Sequence, residues 1–538
     1  MTSTPSFNLI EQPWIRVRTI DGDVAERSLR DVLVESPRLR GLAGEIPTQD
    51  AAVLRLLLAV ILGATRPGFP RSERECIDLF EDWWERGEVP AEILDPYLAR
   101  IYERFDLLHP KVPFMQVAGL TTASGNHSGL GKLIADLRPN QLFFTTRGGS
   151  ELNSMSMAEA ARWLVHCQAF DPAGIKTGAI GDDRVKNGKG YLRNWPAWAG
   201  NLGLVLAVGG TLFETLLFNT PWLMSGPDDL PIWERAQLGP AVDVEHPTPN
   251  GPADLFTWPS RRMRLFLSDD RVVDVQISNG DQLGPQNLHP YESMTAWRRS
   301  KSQSKAGAPV QMPTTHDSTR RIWQGLGPLL QRAKDGSTQP APVVVWLDRL
   351  KNDGALPRER LVDLRILGIE YGTRNTVISG SIDDRLTATV ATLTDPTLVQ
   401  TAVDAVAQAK DGVVALADLA ENLDRAAGGE GQARERTFEI GYGLLDPCYR
   451  MWVRTLKEPG DAPHYRAVWA TTASEVLRKA GEALVADAGP AALVGRQVGR
   501  SGTDSTQLLD AGLAHLWFRA ALTKSFPPTE PEPNRGNQ

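Results

Sequence analysis

LRILGIEYGTRNTVISGS, Leu364 to Ser381, is the stretch on which the chain turns from one architecture to another. Two apolar runs flank Tyr-Gly-Thr-Arg-Asn-Thr, which reads as a β-hairpin with Arg374 and Asn375 at its tip. From about Ile382 onward the pattern changes. Ala, Leu, Val, Glu and Arg recur at periods of three and four through 386–428, 432–457, 466–486 and 505–524, and four long amphipathic segments predict a helical bundle. The expected fold class is α+β: a large mixed α/β domain over 1–382, a four-helix bundle over 383–526, and a disordered tail, PPTEPEPNRGNQ, over 527–538.

Upstream of the hairpin, residues 7–34 alternate around Asp21-Gly22, a hairpin turn signal. Thr48 to Leu62 and 72–107 have helical spacing, the latter broken at Pro90. RMRLFLS, RVVDVQI and APVVVWL between 254 and 382 read as short strands. The longest apolar run, Ala51 to Thr65, is shorter than the ~20 residues of a membrane span and contains Arg55, so it reads as a buried helix.

With 538 residues, 41% of them hydrophobic and 23% charged, the chain has the composition of a globular protein of two to four domains. A net charge of −7 argues against a protein that coats nucleic acid with its whole surface, a mode that needs many phosphate-neutralising side chains. The three cysteines lie far apart with no Cys/His spacing for zinc, so neither a structural metal nor a cofactor is expected. The opening residues lack a cationic region followed by an apolar one, which predicts a cytoplasmic protein with no membrane partner.

Three basic segments stand out against this acidic background. GIKTGAIGDDRVKNGKGYLRN, Gly174 to Asn194, follows a predicted helix over Met157 to Phe170 and joins flexible glycines to Lys176, Arg184, Lys186, Lys189 and Arg193. WRRSKSQSK, Trp297 to Lys305, places four cations among Ser and Gln side chains able to donate hydrogen bonds to phosphates. The Arg374-Asn375 hairpin is the third. Each alone has an ordinary explanation as a surface loop, a linker or a turn. Gly125 to Leu133 lacks the spacing of a phosphate-binding loop, and His316-Asp317 is the only seed for a hydrolase acting on nucleic acid.

The order of FNLIEQPWIRV, SLRDVL, VLRLLLAVI, PFMQ, NQLFFTTRGGSELNS, DLFTWPSRRMRL and LGIEYGTRNTVISGS, followed by the helical region, resembles the CasA family, the large subunits of the type I-E CRISPR surveillance complex Cascade. The resemblance covers essentially the whole chain. It implies a non-catalytic subunit whose partners are guide RNA, double-stranded target DNA bearing a PAM, the other Cascade subunits (backbone, small subunit and the subunit holding the 5′ handle) and a helicase-nuclease recruited after R-loop formation. By position, the resemblance puts a guide-RNA loop at Asn140 to Ser154, with Phe143, Phe144 and Arg147. It puts a DNA-binding glycine loop within Gly174 to Gly190, with Gly174, Lys176, Gly178, Gly181, Arg184, Lys186 and Lys189. It draws a groove-entering cation from Arg298, Arg299, Lys301 or Lys305, and forms a duplex-opening wedge from Thr373, Arg374, Asn375, Thr376 and Val377. Here the glycine loop is longer and more charged than in the family, and Arg-Asn-Thr-Val stands where the family carries glutamine at the wedge tip. A third class, a scaffold with dispensable basic loops, is the remaining alternative.

Overall fold

The computed structural model describes the chain except residues 1–5, 69, 71, 138–144, 146, 191–194, 305–307, 431, 500–505 and 528–538. It divides into two compact units, the first comprising Met1–Arg320, Gln331–Pro357 and Val362–Arg385, the second Arg321–Leu330, Arg358–Leu361 and Leu386–Gln538.

The first unit opens with the hairpin Ile15–Thr19/Val24–Arg27, extended on its other side by Leu39–Leu42. Gly22, at the turn, has φ 99°, a conformation that costs glycine little. Helix Pro47–Thr65 is buried along nearly its whole length. It is long and apolar enough to cross a membrane, but 83% of its apolar window is covered by the rest of the fold. Arg55 sits in that apolar helix because Glu292 takes both ends of its guanidinium, at 2.9 and 3.0 Å. The same carboxylate accepts from Trp198 Nε1 (2.8 Å) and Met294 N (3.0 Å), so the buried charge is fully hydrogen-bonded.

The two expected strands Arg261–Ser268 and Arg271–Asn279 pair as a hairpin, turning through Asp269 and Asp270 at positive φ. A second sheet has Leu361–Tyr371 as its central strand, between Leu204–Val208 and Ile378–Thr389. APVVVWL, in contrast, is not a strand. It opens the helix Pro342–Asp353, whose buried residues Val343, Val344, Trp346, Leu347 and Leu350 follow a helical stripe, with proline at the first turn and Gly354 closing the end at φ 91°. The three consecutive valines favoured a strand locally, and burial at helical spacing overrode them.

In the second unit Pro396–Ala427 packs against Ala433–Val453, Ala462–Ala486 and Ala511–Ser525. An aromatic cluster lies among these helices: Trp323 stacks on Tyr449 at 4.6 Å, and Trp469 meets Tyr449 and Trp452 at 5.4 and 5.2 Å. Two boundaries differ from the periodicity. Residues 386–395 finish a strand and form the short helix Val390–Thr394 before Asp395 caps Pro396–Ala427. Thr506–Leu509 is a strand paired with Arg496–Gly499, and the last helix starts only after Asp510, whose carboxylate accepts from Leu513 N at 2.7 Å.

Candidate nucleic-acid interface

Helix Met157–Phe170, capped by Ser156, delivers the chain to Asp171, whose carboxylate is fully buried. Arg261 Nε and Lys176 Nζ both lie 2.5 Å from Asp171 Oδ2, and Lys176 also donates to Pro172 O at 3.2 Å. Lys176, expected to reach DNA, is therefore turned inward. It anchors the glycine loop because the buried carboxylate needs cationic partners.

Beyond this anchor the loop is a tight ribbon. Gly178 N donates to Gly188 O (2.9 Å), Lys186 and Lys189 exchange backbone bonds (3.0 Å each), and Gly190 N donates to Lys176 O (3.1 Å). At the tip Asn187 (φ 52°) and Gly188 (φ 70°) are both left-handed, the two-residue turn whose twist matches the flanking strands. A Cβ on Gly178 would lie 2.3 Å from Val185 Cγ1, so the ribbon closes only around glycine. Gly181 adopts φ 91°. Arg184 folds back on Asp182 at 2.9 and 3.1 Å. Lys186 and Lys189 are exposed at the tip, and Ile175 and Ile180 stand out beside it at 72% and 57% exposure.

The hairpin expected to act as a wedge lies against this loop. Gly372 N donates to Val377 O (2.7 Å) and Asn375 N to Gly372 O (2.9 Å), closing a tip in which Arg374 and Asn375 both have φ 56°. Arg374, Asn375 and Thr376 are exposed, Val377 less so. Tyr371 Oη donates to Phe170 O at 2.7 Å, tying the hairpin to the helix that feeds the glycine loop. A Cβ on Gly174 would stand 3.9 Å from Thr376 Cγ2. The base of the glycine loop thus lies beside the tip of a hairpin about two hundred residues away in sequence.

His316 and Asp317 serve as a bracket for the same hairpin rather than a paired centre. His316 Nε2 donates to Leu204 O at 2.9 Å, and burial pushes its pKa below the usual imidazole value. Asp317 faces elsewhere: it accepts from Thr319 N (3.0 Å) and Thr319 Oγ1 (2.6 Å), which hold it below the usual carboxylate range. The next residue, Ser318, gives its amide and hydroxyl to Glu370 on the hairpin at 2.9 and 2.8 Å. Among the described residues there is no group of three or more His, Cys, Asp or Glu arranged to hold a metal.

Trp297–Arg299 is the middle strand between Thr338–Gln339 and Gln311–Pro313. Trp297 is buried while Arg298, Arg299 and Lys301 are exposed. Lys305, Phe143 and Phe144 lie outside the described residues. Arg147 is turned inward: it pairs with Glu159 and with Asp136 (3.6 Å) and lies 5.8 Å over the Trp163 ring. Two features escaped the sequence reading. Asn187-Gly188 is a strong two-residue hairpin signal hidden among the other glycines, whereas nothing local marks Tyr371 as the link to Phe170.

Residues 8–480 match the family described as CRISPR-associated protein Cse1. The chain belongs to the Cse1 family. It is 40% identical to Cse1 of Thermobifida fusca, whose crystal structure superposes with a TM-score of 0.89 over 98% of this chain and 100% of that one. It is 29% identical over 387 residues to the CRISPR-associated protein CasA/Cse1 of Thermus thermophilus, 68% of each chain. A chain of a CRISPR RNA-guided surveillance complex shares the fold at TM-score 0.62 and 20% identity, over 89% of this chain and 99% of that one. The resemblance to CasA drawn from the order of motifs therefore holds for the family and the fold.

Proposed function

We propose that this chain is the large, non-catalytic subunit of a cytoplasmic type I-E Cascade complex, which recognises the PAM in double-stranded DNA from the minor groove and opens the adjacent base pairs for guide RNA. The observation that carries the reading is that the base of the glycine loop, at Gly174, packs beside Thr376 of the hairpin, and that Lys186, Lys189, Arg374 and Asn375 are exposed on tight turns of the same unit. Minor-groove edges offer mostly acceptors, so cations and amides held in fixed positions suit them. A wedge needs only to offset a few kcal/mol of unstacking, which later RNA pairing supplies. A few local cations are enough when guide pairing carries the long-sequence specificity, which agrees with the acidic net charge of −7.

In this reading Arg298, Arg299 or Lys301 supplies a further groove or phosphate contact, Phe143 or Phe144 contacts guide RNA, and the assembled complex recruits a helicase-nuclease after R-loop formation. Lys176, Arg184 and Arg147 hold the loops in shape instead of touching nucleic acid. The hydrolase reading gains nothing from His316 and Asp317, whose side chains serve separate backbone groups. The test is assembly with guide RNA and the other subunits, followed by binding to duplexes with and without a PAM. Reversing Lys186 and Lys189 to Glu is expected to weaken PAM-duplex binding and to flatten its log–log salt dependence by about 2. Unchanged affinity and slope overturn the reading.

A further inference from the structure

Phe170, Asp171 and Pro172, where helix Met157–Phe170 ends, gather side chains from the hairpin, the glycine loop and strand Arg261–Ser268. The last carbonyls of an α-helix have no partner within it. Phe170 O is one of these, and it accepts from Tyr371 Oη at 2.7 Å. Asp171 O accepts from Arg261 Nη2 (3.1 Å) and Ala197 N (2.8 Å), and Pro172 O accepts from Arg261 Nη2 (3.1 Å) and Lys176 Nζ (3.2 Å). Arg261 Nη2 also reaches Trp195 O at 3.4 Å, so one buried guanidinium holds both the segment entering the glycine loop and the segment leaving it.

Tyr371 stands next to Gly372, whose amide closes the hairpin tip on Val377 O at 2.7 Å. Its ring has a fitted seat. Gly200, in the turn Trp198–Asn201, is buried, and a Cβ there would overlap the Tyr371 hydroxyl and ring edge. The phenol is thus held between a bare stretch of backbone and Phe170 O, while the next two residues hold Lys176 and Arg261. The hairpin tip and the glycine loop therefore hang from one short mount. A wedge needs such a mount because unstacking base pairs is costly. A hairpin held independently of the grip on the duplex is pushed aside by the resisting pairs instead of parting them.

We propose that the segment from Phe170 to Pro172 couples recognition to opening, and that Tyr371 is the positioning residue that keeps the hairpin tip in register with the glycine loop while the duplex resists. The inference rests on the reading of this chain as a PAM-recognising, duplex-opening subunit and adds a division of labour to it. The loop and its cations set how tightly the PAM is held, and Tyr371 sets how much of that hold reaches the base pairs.

The experiment titrates the assembled complex, native or carrying Tyr371→Phe or Gly200→Ala, with a fully paired PAM-bearing duplex, with the same duplex mismatched at its first target base pairs so that they are already open, and with the pre-opened duplex lacking a PAM. Tyr371→Phe keeps the ring and removes only the hydroxyl. Gly200→Ala leaves the hairpin sequence intact and displaces the ring from its seat. Both variants are expected to bind the pre-opened PAM duplex as the native chain does and the paired one about fivefold more weakly, the worth of one hydrogen bond. A loss equal on both duplexes, which a merely structural role gives, or native affinity for the paired duplex, in either variant, overturns the coupling. A native chain that binds the pre-opened duplex equally with and without a PAM overturns the underlying reading, whereas failure of the coupling alone leaves that preference intact.

Discussion

Replacing Asn187 and Gly188 together by alanine leaves every charge of the glycine loop in place and removes only its shape. Both residues are left-handed, at φ 52° and 70°. A side chain with Cβ pays about 1–2 kcal/mol for that conformation, and asparagine already tolerates it better than alanine, so the pair of substitutions costs roughly 2 kcal/mol. The ribbon is closed by four backbone bonds, those donated by Gly178, Lys186, Lys189 and Gly190, worth about 1 kcal/mol each before ordering entropy is subtracted. Two kcal/mol is a large share of that total and raises the opening equilibrium about 30-fold. Amide exchange of Gly178, Lys186, Lys189 and Gly190 is expected to accelerate by that factor, with the second unit unaffected. Affinity of the assembled complex for a PAM-bearing duplex is expected to fall with the closed fraction. Faster exchange with unchanged affinity refutes the argument, since the loop then acts through charge alone. Unchanged exchange refutes the strain estimate.

Other outcomes follow from the same contacts. Arg55→Met leaves the Glu292 carboxylate buried without its cation and is expected to destabilise the first unit by about 3–5 kcal/mol in denaturant unfolding, with Glu292→Gln restoring part of the loss. Arg374→Gly relieves about 1 kcal/mol of left-handed strain and removes one charge, so thermal stability is expected to hold or rise while PAM-duplex binding falls. His316 is buried with a lowered pKa, so the unfolded chain binds more protons than the folded one as pH drops below about 6.5. Stability is expected to decline there, and His316→Gln to flatten that decline in pH-dependent unfolding.

What the sequence made legible followed local rules. Asp21-Gly22 marked a turn that formed, and the strands around Arg374 paired as expected. The helical periods of the C-terminal region located its four long helices. Where the local pattern misled, tertiary pairing decided: Val343 and Val344 join Trp346, Leu347 and Leu350 on the buried face of helix Pro342–Asp353, and Thr506–Leu509 leaves its helical period to pair with Arg496–Gly499. In the candidate interface the sequence located the loops but not the direction of their charges. Lys176 is pulled inward by Asp171, and Arg147 by Glu159 and Asp136; these carboxylates lie outside the loops that drew notice, and only the fold brings the partners together. The adjacency of Gly174 and Thr376 is likewise a tertiary fact.

Strand opening beside the PAM tests the central claim most directly. A fluorescent base analogue at the first target base pair reports unstacking when the assembled complex binds. The native chain is expected to raise its signal before extensive RNA pairing, and replacing Thr373 to Val377 by a short glycine turn is expected to abolish that rise while the complex still assembles. An undiminished rise without the tip would show that the duplex is opened elsewhere.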